Sequence, residues 1–213
     1  MIIAIDGPAA SGKGTLGKRV AAHYGLAYLD TGQLYRAVAR DTLAAGDDPT
    51  DAAAALKAAQ ALNPQSLDDA TLRTPELGEA ASLVARHPQV RETLRAYQRT
   101  FAHREPGAVI DGRDIGTVIC PDADVKLFVT AAPEERARRR YLELKQNGAK
   151  VTLGEVLADI EARDERDQNR ATAPLRMAED AVLLDTTKLD IDAAFKVAID
   201  MIDAAMGHAG QAG

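Results

Sequence analysis

Five short apolar runs along the chain predict the strands of a sheet. Each run is followed by a loop or a helical pattern, and together they cover residues 2–6, 27–30, 108–111, 125–129 and 181–185. Runs of this length and composition are typical of parallel strands that are buried on both faces. Several end in Asp, at the edge of the sheet where α/β folds build their sites. The pattern therefore predicts an α/β fold with a five-stranded parallel sheet flanked by helices.

The segments between these runs predict the helices. Apolar residues at helical spacing favour helices near 14–24, 32–45, 76–86, 88–103, 133–147, 152–169 and 190–206. Pro75, Pro88 and Pro133 mark the first turns of three of them. Residues 46–72 are rich in alanine and contain Pro49 and Pro64, which predicts a short helical insertion.

The segment that joins the first strand to the first helix reads GPAASGKGT, residues 7–15. Gly-x-x-x-x-Gly-Lys in this setting is a phosphate-binding loop, the P-loop. Gly7 and Gly12 permit backbone angles that direct successive N–H groups at an anion, and the helix N-terminus adds partial positive charge. Lys13 adds a full charge for the outer phosphates. The motif predicts a nucleoside triphosphate site, and a chance glycine-rich turn is the alternative.

A magnesium site is expected beside this loop. Gly14 stands where a P-loop normally has the Ser or Thr that holds magnesium, and Thr15 is the substitute hydroxyl. The strand at 108–111 ends in Asp111, as in P-loop enzymes that use such a carboxylate to hold the magnesium shell. We expect Thr15 and Asp111 to be the metal residues, with Asp111 acting through water.

The helix predicted at 152–169 has an apolar stripe that becomes ionic. Leu153, Val156, Leu157 and Ile160 begin the stripe, and the same spacing continues over Arg163, Arg166, Asp167 and Arg170. Three arginines on one face of an acidic protein favour contacts with phosphates. The alternative is a solvated helix end with an Arg163–Asp167 pair.

Two further groups of charges have open interpretations. In the helix at 133–147, Arg136 and Arg140 lie one turn apart and are predicted to face the nucleotide, whereas Arg138 and Arg139 are interpreted as surface charge. Arg113 and Asp114 follow the third strand, as either a structural ion pair or a pair of site residues.

Composition narrows the function classes. The chain has 213 residues, enough for one α/β domain, and a net charge of −6, which provides no positive field for a nucleic acid. The single Cys120 is interpreted as a small buried hydrophobe. No basic segment precedes the first apolar run, and no apolar stretch is long enough for a bilayer. We expect a cytoplasmic monomer with neither nucleic-acid nor membrane partners.

Four motifs, in this order, resemble those of the bacterial cytidylate kinases. They are GPAASGKGT (7–15), DTGQLYR (30–36), DGRDIGTVICPDA (111–123) and RDERDQNR (163–170). The P-loop alone is shared with other nucleoside monophosphate kinases, whereas the last two motifs point to the cytidylate enzymes. The resemblance implies a P-loop NTPase-type sheet in a single domain over 1–213, with a monophosphate-binding segment near 31–105 and a mobile lid near 146–172. Its insertion at 46–72 is shorter and richer in alanine than the usual bacterial form.

The resemblance also implies roles for particular residues. ATP would bind to Gly7, Pro8, Ala9, Ala10, Ser11, Gly12, Lys13, Gly14 and Thr15. CMP would bind to Asp30, Thr31, Tyr35, Arg36, Ser82, Arg91, Arg113, Asp114, Arg163, Asp167 and Arg170. Within that set, Ser82, Arg91 and Asp114 would read the cytosine, Arg36, Arg113 and Arg170 would hold the phosphate, and Arg163 and Asp167 would contact the ribose. Lys13, Arg113, Arg163, Arg166 and Arg170 are expected to act in catalysis. Gln168 departs from the family, which often has another arginine there.

The implied reaction transfers the γ-phosphoryl group of ATP, with Mg²⁺, to CMP or dCMP. A kinase for another monophosphate, such as UMP or dTMP, is the alternative within the same class. From other classes, a P-loop ATPase or switch would hydrolyse ATP without an acceptor, and a non-catalytic nucleotide-binding module would have no use for so many converging arginines.

Overall fold

The computed structural model describes residues 1–63, 67, 70–146 and 148–209. Its five strands form one sheet in the order β2-β3-β1-β4-β5, and all neighbouring strands pair in parallel. The strands are β1 (Ile2–Asp6), β2 (Ala27–Asp30), β3 (Ala108–Gly112), β4 (Val125–Thr130) and β5 (Val182–Asp185). The predicted five-stranded parallel sheet is confirmed, and no predicted strand end is displaced by more than a single residue.

Eight α-helices are present in the described part of the chain. They are α1 (Lys13–Tyr24), α2 (Thr31–Ala44), α3 (Ala52–Gln60), α4 (Pro75–Val84), α5 (Pro88–Ala102), α6 (Pro133–Gln146), α7 (Leu153–Gln168) and α8 (Ile191–Ala209). None of them is both long and apolar enough to cross a membrane. The helical insertion predicted at 46–72 contains α3, while Pro64 lies outside the described residues.

The helix starts follow from local chemistry. Prolines occupy the first position of α4, α5 and α6, where the missing N–H costs nothing. The Asp51 side chain accepts the N–H groups of Ala53 and Ala54 at the start of α3. Thr152 and Glu155 form a capping box at the start of α7.

The core lies on both faces of the sheet, which explains why β1 and β3 are buried along their whole length. Ile2 and Ala4 of β1 pack on one face with residues of α2, α3, α4 and α5. Ile3 and Ile5 pack on the other face with α1 and α8. Cys120 is fully buried on the first face, and burial raises the pKa of its thiol to about 11. Its interpretation as a small buried hydrophobe is confirmed.

A third, small core joins α6 to α7 away from the sheet. Its buried members are Ala137, Leu144, Val156 and Ile160. The apolar part of the stripe on α7 is therefore used against α6, and the ionic part continues beyond this contact. This packing determines which way the arginines of both helices point.

Candidate active site

A cavity of about 1050 Å³ lies at the carboxyl edge of the sheet. Its lining comes from the loops after β1, β3 and β5 and from α1, α2 and α4 to α8. This volume is at the upper end of the range for small-molecule sites. The P-loop forms one end, and α4 and α5 close the other.

The P-loop requires glycine at two positions. A Cβ on Gly7 would lie 2.0 Å from the carbonyl oxygen of Val129, so no side chain fits there. Gly12 has a φ of 87°, a left-handed angle at the start of α1. Ala10 also takes a left-handed φ of 58°, a strained state of the kind that accumulates at binding loops.

Lys13 is buried in the cavity wall, and its Nζ donates to the carbonyl oxygen of Pro8 at 3.2 Å. Burial, followed by the positive charge of Arg113, lowers the pKa of Lys13 to about 7. Because this buried ammonium group has lost its hydration, a bound anion stabilises its charge more than it would stabilise that of an exposed lysine.

The two predicted metal residues both line the cavity. Asp111 is buried, and burial, together with the nearby Asp30, raises the pKa of its carboxyl to about 6. Thr15 is exposed at the surface of the same cavity. Sequence reasoning missed Tyr28, whose hydroxyl donates to the Asp111 carboxylate. A Cβ on Gly14 would lie 3.5 Å from both that hydroxyl and Asp111 Oδ2, so tyrosine supplies a hydroxyl close to where a P-loop usually carries one.

The other end of the cavity contains the residues expected to bind the monophosphate. Arg36 Nη1 lies 3.6 Å from Asp30 Oδ2. Thr31 Oγ1 donates to the carbonyl oxygen of Asp111 at 2.8 Å, which joins the ends of two neighbouring strands. The guanidinium of Arg91 lies 5.7 Å from the centre of the Tyr35 ring.

Arg113 and Asp114 are each paired with a different residue. Asp114 Oδ2 accepts from Arg91 Nη2 at 2.5 Å, and both side chains are buried. Asp167 Oδ2 accepts from Arg113 Nε at 2.8 Å. Arg113 and Asp114 therefore do not form an ion pair with each other. The carboxylate of Asp167, for which a pair with Arg163 was the alternative, is bonded to Arg113.

The ionic end of α7 lies over the cavity. Arg166 Nε is 3.4 Å from Ser82 Oγ, and Arg170 Nη2 donates to the carbonyl oxygen of Ala173 at 2.5 Å. The Nε atoms of Arg163 and Arg170 are buried and have no hydrogen-bond partner in the part of the chain that is described. Burial, followed by the charge of Arg113, lowers the pKa of Arg163 to about 10. These contacts do not describe a solvated helix end.

Arg163→Ala and Arg170→Ala are therefore expected to lower kcat/KM by about 10²-fold each while changing the melting temperature little. The reason is that each arginine carries a buried charge with incomplete pairing, whose loss costs the folded protein little. Steady-state kinetics and thermal melting check this. Arg95→Ala, which removes an exposed i,i+3 pair with Glu92, is the control that should alter neither. Normal kinetics with lower stability would show that the two arginines are structural.

The arginines of α6 are arranged differently from the prediction. Arg136, expected to face the nucleotide, is buried and does not line the main cavity. Its guanidinium donates to Asp164 of α7 at 2.5 Å and to the Ala9 carbonyl oxygen at 3.3 Å. Arg140 lines the cavity as expected, but so does Arg139, which the sequence places among the surface charges. Arg138 is at the rim of the cavity with its side chain 56% exposed, as expected of a surface charge. The small core between α6 and α7 causes this difference, because it sets the rotation of α6.

The loop after β5 is a part of the site that sequence reasoning missed. Arg139 Nη2 donates to the carbonyl oxygen of Thr186 at 2.7 Å, and Thr186 Oγ1 donates to the carbonyl oxygen of Ser11 in the P-loop at 3.1 Å. Leu189, Asp190 and Ile191 continue the lining. The sequence could have indicated this loop, because β5 ends at the same edge of the sheet as the strands whose loops were predicted to form the site.

Gln168 does not line the main cavity. It lines a second cavity, of about 450 Å³, whose lining also includes Arg136. The departure from the usual arginine at this position therefore does not face the main cavity. The lid predicted at 146–172 contains α7, and Asn147 at its beginning lies outside the described residues.

A central P-loop, a five-stranded parallel sheet and a cavity lined with arginines define a P-loop phosphotransferase of the nucleotide kinase class. A model of the cytidylate kinase family matches residues 3–204. The chain is 59% identical over 204 residues to a cytidylate kinase of Rhodopseudomonas palustris, with 96% of each chain covered. It is 57% identical over 212 residues to a cytidylate kinase of Nitrobacter winogradskyi, with all of both chains covered. The chain belongs to the cytidylate kinase family.

Solved structures with low sequence identity share the fold. An uncharacterized protein of Eubacterium ventriosum is 18% identical, with a TM-score of 0.57, over 95% of this chain and 98% of that one. A gluconokinase of Sinorhizobium meliloti is 14% identical, with a TM-score of 0.50, over 97% of this chain and 94% of that one. They support the α/β fold class.

Proposed function

We propose that the protein transfers the γ-phosphoryl group of ATP to CMP or dCMP, giving ADP and CDP or dCDP. The observation that carries this proposal is a single cavity with a P-loop at one end and the buried Arg91–Asp114 pair at the other. Arg113 and the arginines of α7 lie between these ends. Family membership supports the same assignment.

The chemical step needs no general base. The second pKa of a phosphate monoester is about 6, so the acceptor phosphate is already an anionic nucleophile at neutral pH. One of its oxygens attacks the γ-phosphorus, the bond from that phosphorus to the bridging β,γ-oxygen breaks, and ADP leaves with the electron pair. What the protein must supply is positive charge around two anions that repel each other.

The buried cations are suited to that task. All of them line the cavity: Lys13 from the P-loop, Arg36 from α2, Arg113 from the turn after β3, Arg163 from α7 and Arg170 from just after α7. Each would gain electrostatic stabilisation as phosphates replace the water around it. Opening and closing of the segment near 146–172 would admit the nucleotides and then exclude water.

The Mg²⁺ that accompanies ATP would neutralise part of the phosphate charge. The donor set fits a hard cation, because the Asp111 carboxylate and the Thr15 hydroxyl present oxygen atoms to the cavity beside the P-loop. Asp111, whose hydrogen bond from Tyr28 fixes its orientation, would hold the ion's water shell.

Cytosine recognition would use the Arg91–Asp114 pair. Asp114 accepts from Arg91 through Oδ2, and its Oδ1 can accept from the N4 amine of cytosine. Arg91 can donate to N3 or O2. Uracil presents a carbonyl oxygen in place of N4, so the same carboxylate would face an acceptor.

An assay of ADP formation against a panel of monophosphates tests this function. CMP and dCMP are expected to give the fastest turnover, with UMP, dTMP and AMP about 10²-fold lower in kcat/KM. Without an acceptor, ADP formation is expected to be negligible, because a closed site excludes water. Rapid hydrolysis of ATP alone would instead identify an ATPase or switch, and a preference for UMP or dTMP would identify another monophosphate kinase.

The setting of this reaction follows from its substrates. Free nucleotides are cytoplasmic metabolites, and a buried, unpaired Cys120 is compatible with a reducing compartment. We therefore place the enzyme in the cytoplasm and expect it to act as a monomer, which sedimentation with and without nucleotides would check.

A further inference from the structure

Asp6 is a buried carboxylate that the reaction does not use. It is the last residue of β1, directly before the P-loop, and its side chain is 5% exposed. Its Oδ1 accepts the N–H of Ile115 at 2.8 Å, and its Oδ2 accepts the N–H of Gly116, also at 2.8 Å. One side chain thus connects two segments that are more than a hundred residues apart in the chain.

The two N–H groups belong to a single π-helical turn, Ile115–Ile119, that follows β3. The first N–H groups of any helical turn have no partner within the turn, so an external acceptor must satisfy them. Asp6 does this from the neighbouring strand. The turn begins directly after Asp114, whose carboxylate pairs with Arg91. The backbone that carries Asp114 is therefore anchored, on its C-terminal side, to Asp6.

A buried carboxylate is costly because it is removed from water, and here the presence of two neighbouring N–H donors explains why one is used. Burial raises the pKa of Asp6 to about 7, even though the hydrogen bonds from Gly116 and Ile115 act in the opposite direction. A neutral Asn of the same size would avoid that cost, but it offers one acceptor oxygen and would turn an NH₂ group towards the other N–H. Two adjacent donors thus require both oxygens of an Asp.

The contact also depends on close packing of the turn. A Cβ on Gly116 would lie 3.0 Å from Lys126 Cδ and 3.5 Å from Asp6 Oδ2. The turn therefore sits against β1 and β4 with no room for a larger residue unless the Lys126 side chain shifts. Small displacements of the turn would be transmitted to Asp114, since it is the adjacent residue.

We propose that Asp6 is a positioning residue for base selection. It holds the turn that follows Asp114 against β1, the strand that leads into the P-loop, and it touches neither nucleotide. This inference rests on the proposed reading of cytosine by Asp114. Asp6 therefore connects the two ends of the cavity. Its backbone leads into the P-loop, and its carboxylate holds the turn that directly follows Asp114.

Asp6→Asn tests the inference. We expect KM for CMP to rise about 10-fold and the ratio of kcat/KM for CMP to that for UMP to fall about 10-fold, because a lost bond to a charged acceptor frees the turn. KM for ATP should change less than about 2-fold, since the P-loop backbone is unaltered. Two outcomes would show a merely structural role and overturn the inference. One is an equal loss of kcat/KM with CMP and with UMP, and the other is an equal rise in KM for CMP and KM for ATP.

Asp51→Ala is the control. It removes a carboxylate that accepts two backbone N–H groups at the start of a helix, but Asp51 does not line the cavity. It should lower the melting temperature and leave the CMP to UMP ratio unchanged. If Asp6→Asn does not fold, Gly116→Ala decides the question. Its Cβ would lie 3.0 Å from Lys126 Cδ, and the Nζ of that lysine is held by Pro121 and Asp180, so the turn is displaced while Asp6 is kept. We expect it to lower the ratio by a smaller factor, and an unchanged ratio would overturn the inference.

Asp114→Asn, measured in parallel, separates the two hypotheses. If Asp114→Asn changes the CMP to UMP ratio and Asp6→Asn does not, the role of Asp6 is wrong and base reading by Asp114 stands. If neither substitution changes the ratio, the base is read elsewhere and the inference about Asp6 falls with it.

Discussion

Lys13→Ala is expected to lower kcat by about 10³-fold or more, because it removes the positive charge that stabilises the phosphoryl group during its transfer. The fold should survive the substitution. Burial already lowers the pKa of Lys13 to about 7, so its charge does not stabilise the ligand-free protein. Turnover at saturating ATP and CMP, together with thermal melting, measures the two effects separately.

Lys196→Ala provides the comparison for that experiment. Lys196 is an exposed lysine on α8 that does not line the cavity, so its loss should leave turnover within about 2-fold of the wild type. A Lys13→Ala enzyme that kept more than about a tenth of its activity would contradict the assignment of residues 7–15 as a catalytic P-loop.

The second large effect concerns base choice. The wild-type enzyme should favour CMP over UMP by about 10²-fold or more in kcat/KM, because the wrong base leaves buried polar groups unpaired. In Asp114→Asn the amide can donate to the uracil O4, so the ratio should shrink, mainly through lost activity on CMP. KM for ATP should stay near normal, because Lys13 and the P-loop are unaltered.

The structure adds a consequence for stability. Asp114 forms a buried ion pair with Arg91, so removing its charge leaves a buried guanidinium without its counter-charge, and the melting temperature should fall. Asp122→Asn, at an exposed partner of His103, should change neither the ratio nor, appreciably, the melting temperature. An unchanged ratio in Asp114→Asn would place cytosine recognition elsewhere, and a wild-type enzyme indifferent to the base would contradict the proposed substrate.

The strands were predictable almost to the residue because of how this sheet is buried. β1 lies between two other strands and between two cores, so every one of its residues is buried and the run is apolar up to its last residue, Asp6. The P-loop was predictable for a related reason, since Gly7 and Gly12 stand where the backbone tolerates no ordinary side chain. In both cases the burial or the backbone angle restricts which residues can stand at consecutive positions, so the restriction is visible in a short stretch of sequence.

The pairing of charges was not predictable in the same way. Arg113 and Asp114 are neighbours in sequence, yet their partners are Asp167 and Arg91, which come from other elements. The spacing of Arg136 and Arg140 shows that they share a helix face, but it does not show which way that face points. Packing of Ala137 and Leu144 against α7 sets the rotation, and it buries Arg136 and brings Arg139 to the cavity.

The fold class, the phosphate loop and the set of segments that meet at the site could be predicted from the amino-acid sequence, because each leaves a pattern in consecutive or periodic residues. The contacts between side chains across that site became known from the folded chain: Tyr28 on Asp111, Asp6 on the turn after Asp114, and Thr186 on the P-loop. These contacts join residues far apart in the chain, and their geometry depends on the register of strands and the rotation of helices, which no local pattern records.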